Sequence, residues 1–188
     1  EEDNNNNNKN TINSVNVGDA DVDIDVDAAA ADVQELYMTQ KVDHFDPSNK
    51  ATFQQRYFVS YRYHNKNKKN RSGSEPIISL LNIGGEGPGF TKSVLLDSSN
   101  YCGGDMIEVA KRISNEGRSV HLYALEHRYY GKSYPIFETN GNNKTSPLTI
   151  ENLRFLSSRQ ALEDLAHFVH TINQETANTN TNTRTTDI

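Results

Sequence analysis

The stretch from Val120 to Ser133 limits what this chain can fold into more than any other. Val120-His121-Leu122-Tyr123-Ala124-Leu125 is a short apolar run of the kind that fills a strand buried on both faces. It then breaks into Glu126-His127-Arg128-Tyr129-Tyr130-Gly131-Lys132-Ser133, which is charged, aromatic and closed by a glycine. In open α/β sheets ligands bind beyond the carboxyl ends of the strands, so such a break is a place for chemistry. A plain strand-to-loop turn satisfies the same spacing, and the pattern leaves both readings open.

The flanking segments supply the rest of an α/β pattern. Pro76 to Ile83 reads as a second buried strand, ending in Gly84-Gly85-Glu86-Gly87-Pro88-Gly89. A helix is expected from about Asp105, with Asp105 and Glu108 as a capping box. Met106, Val109, Ala110 and Ile113 form its apolar stripe and Gly117 its stop. Another helix is expected after Ser157 and Gln160, a second capping box, with Leu162, Leu165, Ala166, Phe168, Val169 and Ile172 at helical spacing. Thr52 to Tyr63 is β-branched and aromatic, and Phe53, Tyr57, Val59, Tyr61 and Tyr63 nearly share a face, as in an antiparallel edge strand. The order edge strand, strand, helix, strand, helix argues an α/β sheet with crossover connections. It is an incomplete one, with two buried strands and no strand for the last helix to return to.

The ends of the chain carry little that could form a core. Residues 1–36 read as a disordered leader: the Asn4–Asn8 run, then the acid/apolar alternation from Asp19 to Asp27. Ala28 to Ala31 with Val33, Leu36 and Tyr37 could add a short helix. Residues 175–188 read as a low-complexity Asn/Thr tail, which leaves 37–174 as the folded domain. A net charge of -6 over 188 residues argues against a nucleic-acid partner. No stretch approaches the roughly 20 apolar residues of a spanning helix, which argues against a membrane partner. The single cysteine, Cys102, excludes an internal disulfide and a cysteine-rich zinc site. No basic-then-apolar signal segment follows Glu1, so the protein is cytosolic or its signal was removed before this numbering begins.

Several motifs invite chemistry. A glycine-rich turn after a buried strand can cradle phosphate, yet the detailed patterns fail. Phe90 stands where a dinucleotide fingerprint needs its third glycine, and Thr91 and Glu126 stand where P-loops ending in Lys92 and Lys132 need glycine. The same turn could supply an oxyanion-hole donor, as the loop after an early strand does in α/β-hydrolases. Alternatively it is a tight turn that requires positive φ. His167 and His170 lie three apart on the last helix but lack an acidic or cysteine co-ligand, so no metal is expected, and no cofactor. Glu86 and Glu126 could be paired carboxylates of a glycosidase. Cys102 beside Gly103 could be a nucleophile or an ordinary thiol.

The blocks Gln40-Lys41-Val42-Asp43-His44-Phe45, Thr52 to Tyr57, Gly85-Glu86-Gly87, Glu126 to Ser133, and Phe155-Leu156-Ser157 leading to Gln160 to Ala166 resemble, in this order, the start of the prolyl carboxypeptidase family of serine peptidases. That family includes lysosomal Pro-Xaa carboxypeptidase, dipeptidyl peptidase II and the thymus-specific serine protease. The resemblance implies an α/β-hydrolase sheet with a helical cap, a Ser-Asp-His triad, and peptide substrates with proline near a terminus. It also implies a secreted or lysosomal glycoprotein, in which the sequons at Asn70 and Asn143 would carry sugar. Gly84, Gly85, Glu86 and Gly87 would form the oxyanion-side loop, with Gly85 where family members usually carry asparagine. Glu126, His127, Arg128, Tyr129, Tyr130 and Gly131 would be a scaffold of the active-site rim.

One departure is large. The family's nucleophile sits in a Gly-Gly-Ser-Tyr-Gly-Gly elbow one strand beyond the Gln-Ala-Leu helix, and this sequence contains no Gly-x-Ser-x-Gly. The triad therefore falls on no residue here, Ser133 included. The expectation is the N-terminal portion of an α/β-hydrolase, lacking elbow, cap and remaining strands, from a serine exopeptidase and unable to hydrolyse peptides alone. The rival readings are a non-enzymatic truncated or degenerate product and, more distantly, a nucleotide-binding module. Carboxypeptidase against dipeptidyl peptidase specificity, and oligomeric state, stay open.

Overall fold

The computed structural model describes residues 32–65, 76–96, 103–139 and 143–182. The Asn-rich and acidic leader, the Asn70 sequon and Cys102 lie outside them. So do the side chains of Asn143 and of the last helical residues. Strands β1 (Val33–Lys41), β2 (Thr52–Ser60), β3 (Ile78–Ile83) and β4 (Val120–Leu125) form one sheet in the order β1-β2-β4-β3. The β1/β2 and β2/β4 pairs are antiparallel, and β3/β4 is parallel. A short 3-10 turn (Lys92–Leu95) and helix α1 (Gly104–Asn115) lie on the β3-to-β4 crossover. After β4 come a small hairpin, β5 (Phe137–Thr139) with β6 (Asn143–Thr145), then α2 (Ile150–Leu153) and the long helix α3 (Ser158–Asn182).

The core follows the two-residue period of the strands. Val120, Leu122 and Ala124 of β4 face Val33, Phe58, Val94, Leu95, Ile107 and Ala110 on the α1 side. Tyr123 and Leu125 face Met38, Tyr57, Val59, Phe168 and Ile172 on the α3 side. All six β4 residues are buried, so this strand is the centre of a helix-sheet-helix sandwich. Each large apolar side chain so buried contributes about 1.5–3 kcal/mol. A third cluster, Val42, Phe53, Tyr129 and Phe155, closes the end where β4 gives way to the charged turn.

Several local expectations change. Val33 to Lys41 is a strand and not the end of a disordered or helical leader, because it pairs along its whole length with β2 and buries Val33 and Met38. That pairing makes β2 an interior strand, and with the α1 side packed on one face and α3 on the other, Phe58 is as buried as Val59. Helix α1 begins with Gly103 as N-cap and no side-chain cap, so Asp105 sits in the first turn. A Cβ on Gly103 would lie 2.1 Å from the Val94 carbonyl oxygen, so only glycine fits this approach. Of the expected stripe, Ala110 is buried and Met106 and Ile113 pack against the same core, but Ile107 is inward and Val109 exposed.

The end of α1 is as read. Gly117 has φ +84, its N–H donates to Ser114 O, and Arg118 N–H donates to Ile113 O, a Schellman motif. In α3, Ser157 Oγ accepts from Gln160 N at 3.3 Å, but the Gln160 side chain turns away. It donates to Asp43 and accepts from His44 N, so the capping box is half made. The inward stripe of α3 is Gln160, Asp164, Phe168 and Ile172, whereas Leu162 and Val169 are exposed. The helix also continues past Gln174 to Asn182, through part of the Asn/Thr repeat.

Candidate functional site

At the carboxyl end of β4 the next residue, Glu126, is 2% exposed and its carboxylate is enclosed by donors. Arg56 gives it Nη2 at 2.6 Å and Nε at 3.2 Å. Ser133 Oγ–H donates at 2.8 Å, and the backbone N–H groups of Lys132 and Phe90 donate at 2.9 and 3.2 Å. The turn leaves no room for another side chain: Gly131 has φ +54, and a Cβ there would fall 1.7 Å from Glu126 Oε1. The two glycine-containing turns do form an anion cradle of the kind the sequence suggests, and the anion they hold is the protein's own. Burial works against the Arg56 cation, but its hydrogen bonds and attraction to Glu126, with Glu35 behind, outweigh it and hold its pKa up. The other parts of the P-loop candidate are spent as well. Lys132 Nζ pairs with Glu35 at 2.8 Å, and Ser133 Oγ also accepts from Arg56 N at 2.9 Å.

Two residues on, Arg128 is 0% exposed, and all five of its N–H groups are used. Nε and Nη2 grip Asp164 of α3 bidentately, both at 2.7 Å. Nη1 donates to the carbonyls of Val42 and Phe155, and Nη2 also donates to that of Lys41. Asp164 completes its shell with His44 Nε2 at 2.8 Å. Glu126 thus fastens the strand end to β2 and the glycine turns, while Arg128 fastens it to the β1–β2 connection and to α3. Between and beyond them the turn is tight. Tyr129 takes φ 68, its N–H donates to Ser133 O, and its hydroxyl donates to Asn152 O at 2.5 Å. Burial pushes the Tyr129 hydroxyl up to about 12, so it stays a neutral donor.

The β3 turn meets the same strand end. Gly84 N–H donates to Leu125 O at 2.8 Å, and a Cβ on Gly84 would lie 3.0 Å from both Leu125 O and His127 N. None of Gly84, Gly85, Gly87 and Gly89 has positive φ, so the tight-turn explanation does not hold for this segment. Close backbone approach explains Gly84 and Gly89, while Gly85 and Gly87 face open space and Glu86 is exposed. His127 is half-buried, with Nδ1 2.7 Å from Arg128 O. A carbonyl can only accept, so Nδ1 carries the hydrogen and the neutral ring keeps Nε2 as an acceptor. Because nothing lies within 4 Å of a Cβ at Gly85, Gly85→Asn is expected to leave stability within about 0.5 kcal/mol, read as an unchanged thermal midpoint.

The remaining candidates are separated by the fold. Glu126 is saturated by its donors and cannot act as a glycosidase acid or base with Glu86. His167 Nδ1 bonds Gln40 Oε1 and His170 Nε2 bonds Gln174 Nε2, so the two rings do not converge on a common ligand position. No group of three or more His, Cys, Asp or Glu side chains that could hold a metal occurs among the described residues. No described helix is long and apolar enough to cross a membrane. Sequence reasoning missed Arg56 and Asp164, the partners that complete both clusters. The one available signal was Asp164, a charged residue four positions before Phe168 on the helix stripe; Arg56 falls on the face opposite Phe53, Tyr57 and Val59, and the strand pattern gave none.

The sequence model of a known family, described as Serine carboxypeptidase S28, matches residues 40–185. The chain belongs to the serine carboxypeptidase S28 family. This places it with the serine-type peptidases, which are hydrolases. Among S28 relatives, a Caenorhabditis elegans protein named as a serine protease is 33% identical over 152 residues, covering 77% of this chain and 23% of that protein. Human lysosomal Pro-X carboxypeptidase is 34% identical over 142 residues, 74% of this chain and 23% of the relative. Mouse thymus-specific serine protease is 32% identical over 130 residues, 69% and 20%. The chain therefore spans less than a quarter of the length of these S28 relatives. Arg56, Glu126, Arg128 and Asp164 all fall inside the S28 match.

Proposed function

We propose that this chain is the amino-terminal, site-framing portion of a serine exopeptidase of α/β-hydrolase type that cleaves peptides next to proline. The observation that carries the reading is the meeting of the β3 and β4 ends, where the Gly84 N–H bond to Leu125 O presents Gly85-Glu86-Gly87 at the sheet's carboxyl edge. Backbone N–H groups there can stabilise a developing oxyanion, which makes Gly84 to Gly87 the oxyanion-side loop. Glu126 to Gly131 act as positioning residues of the rim, since their charged groups are consumed by internal partners. No residue of this chain serves as nucleophile. Ser133 is held between Glu126 and Arg56 N, without a histidine on its hydroxyl. The substrates of the whole enzyme are peptides with proline near a terminus, and its setting is secreted or lysosomal with sugar on Asn70 and Asn143.

The 188-residue chain alone is expected to show no hydrolysis of a proline-containing peptide above the uncatalysed rate. Mass spectrometry of the peptide after long incubation, with and without a serine-directed inhibitor, checks this. Inhibitor-sensitive cleavage by the purified chain would falsify the scaffold assignment. A second reading, a non-enzymatic product, draws support from β3, which pairs only with β4 among the described strands and exposes Ile83. Broad, non-cooperative unfolding of the purified chain would favour it.

A further inference from the structure

At the opposite end of β4 lies a second group of titratable side chains that the peptidase reading does not use. His121, the second residue of β4, is 9% exposed, and its Nε2 sits 3.1 Å from Nδ1 of His64, in the turn after β2. Only one hydrogen fits between those two nitrogens. The other ring nitrogen of His121, Nδ1, is buried with no hydrogen-bond partner. The Tyr61 ring meets His121 edge-on at 4.6 Å, and Tyr123 lies beside it at 6.4 Å. From β3, Ser79 is the register partner of His121. From α3, Glu175 acts on Tyr61 and Tyr123, and Thr176 accompanies it. The turn is otherwise tied to the start of β4 by Val120 N–H to Tyr63 O, and by Asn65, whose N–H donates to Ser119 Oγ and whose Nδ2 donates to Gly117 O.

We propose that the His64–His121 pair is an acid-sensitive latch, closed while the two imidazoles share one hydrogen and opened when both are protonated. Two cationic rings would set N–H against N–H at 3.1 Å and leave a charged Nδ1–H buried with nothing to accept it. Opening releases the Tyr61–Asn65 turn from the amino end of β4, a local event distinct from the carboxyl-end clusters. The inference is independent of the peptidase reading.

Burial, then the neighbouring His64, lowers His121 from 6.5 to about 4. A depressed folded-state pKa means the unfolded chain binds more protons between these values, so stability is intact above about 6.5 and falls as pH drops towards 4. Each pH unit in that window raises the unfolded-to-folded ratio by about tenfold through this one residue.

The test uses the full 188-residue chain. Imidazole proton resonances followed from neutral to acid pH should show His121 neutral at pH 5, while the protection of the Asn65 and Val120 amides, relative to their intrinsic exchange rates at each pH, falls selectively with acid. Urea unfolding of wild type and His121→Phe at pH 6.5 and 5 should show a rise in the unfolded-to-folded ratio about 15-fold larger in the wild type. A His121 resonance titrating near its free value of about 6.5, or equal pH dependence in the variant, overturns the latch. If His121→Phe does not fold, the wild-type resonance titration decides alone.

Discussion

Replacing Arg128 with methionine is expected to destabilise the protein by about 3–5 kcal/mol, among the largest effects of any single change in the chain. Methionine matches the aliphatic stem but supplies no donor. Asp164, 1% exposed, then keeps only His44, and the carbonyls of Lys41, Val42 and Phe155 lose the N–H groups that satisfy them. Each buried group left unpaired costs about 1–3 kcal/mol, so the loss exceeds what an exposed ion pair could produce. For a domain of this size it corresponds to a fall of roughly 10 °C in the thermal midpoint, followed by circular dichroism. Arg128→Lys recovers only part, because three donors on a flexible stem cannot reproduce the bidentate fork and the three carbonyl bonds.

Glu126→Gln is expected to cost about as much, roughly 3–5 kcal/mol, by a different route. The amide keeps the carboxylate's shape, yet one of its ends becomes an NH₂ group. On the Oε2 side that group faces Arg56 Nε, Lys132 N and Ser133 Oγ; on the Oε1 side it faces Arg56 Nη2 and Phe90 N. Either orientation sets donors against donors. It also strips a buried guanidinium of its close counter-ion, with only Glu35 left at 3.7 Å. The urea midpoint should fall while the slope of the transition stays unchanged, because the area exposed on unfolding is the same.

How much of this was legible beforehand depended on whether the signal was local. The β4 run and the Gly117 stop are local, and both were read correctly. Val33 to Lys41 contains Gln, Glu, Leu and Met, all good helix formers, and its strand conformation comes from pairing with β2, which no window of residues contains. The same distant strand turned β2 from an edge into an interior strand. Gln160 has a capping-box spacing, but Asp43 and His44 compete for its side chain. At the site, a glycine-rich turn is compatible with an anion, but the backbone donors that meet one belong to Phe90 and Lys132, just after the glycines. That the anion is Glu126 follows from Arg56, which lies 70 residues away in sequence, in a block whose spacing gives no hint of that pairing. Asp164 was hidden in the same way, a charged residue on a helix stripe whose partner is 36 residues upstream.

The account's central claim is that the charged residues of the Glu-His-Arg-Tyr-Tyr-Gly segment act by holding the strand end in place through buried partners. A double-mutant cycle on Arg128→Met and Asp164→Leu, measured by urea unfolding, tests it most directly. Removing one partner leaves the other charge buried without its counter-ion, Asp164 with only His44 or Arg128 with only backbone carbonyls, whereas removing both takes that penalty away. The double variant is predicted to cost no more than the worse single variant, a coupling of about 2 kcal/mol or more. Single-variant losses that simply add, to within about 0.5 kcal/mol, would contradict the claim.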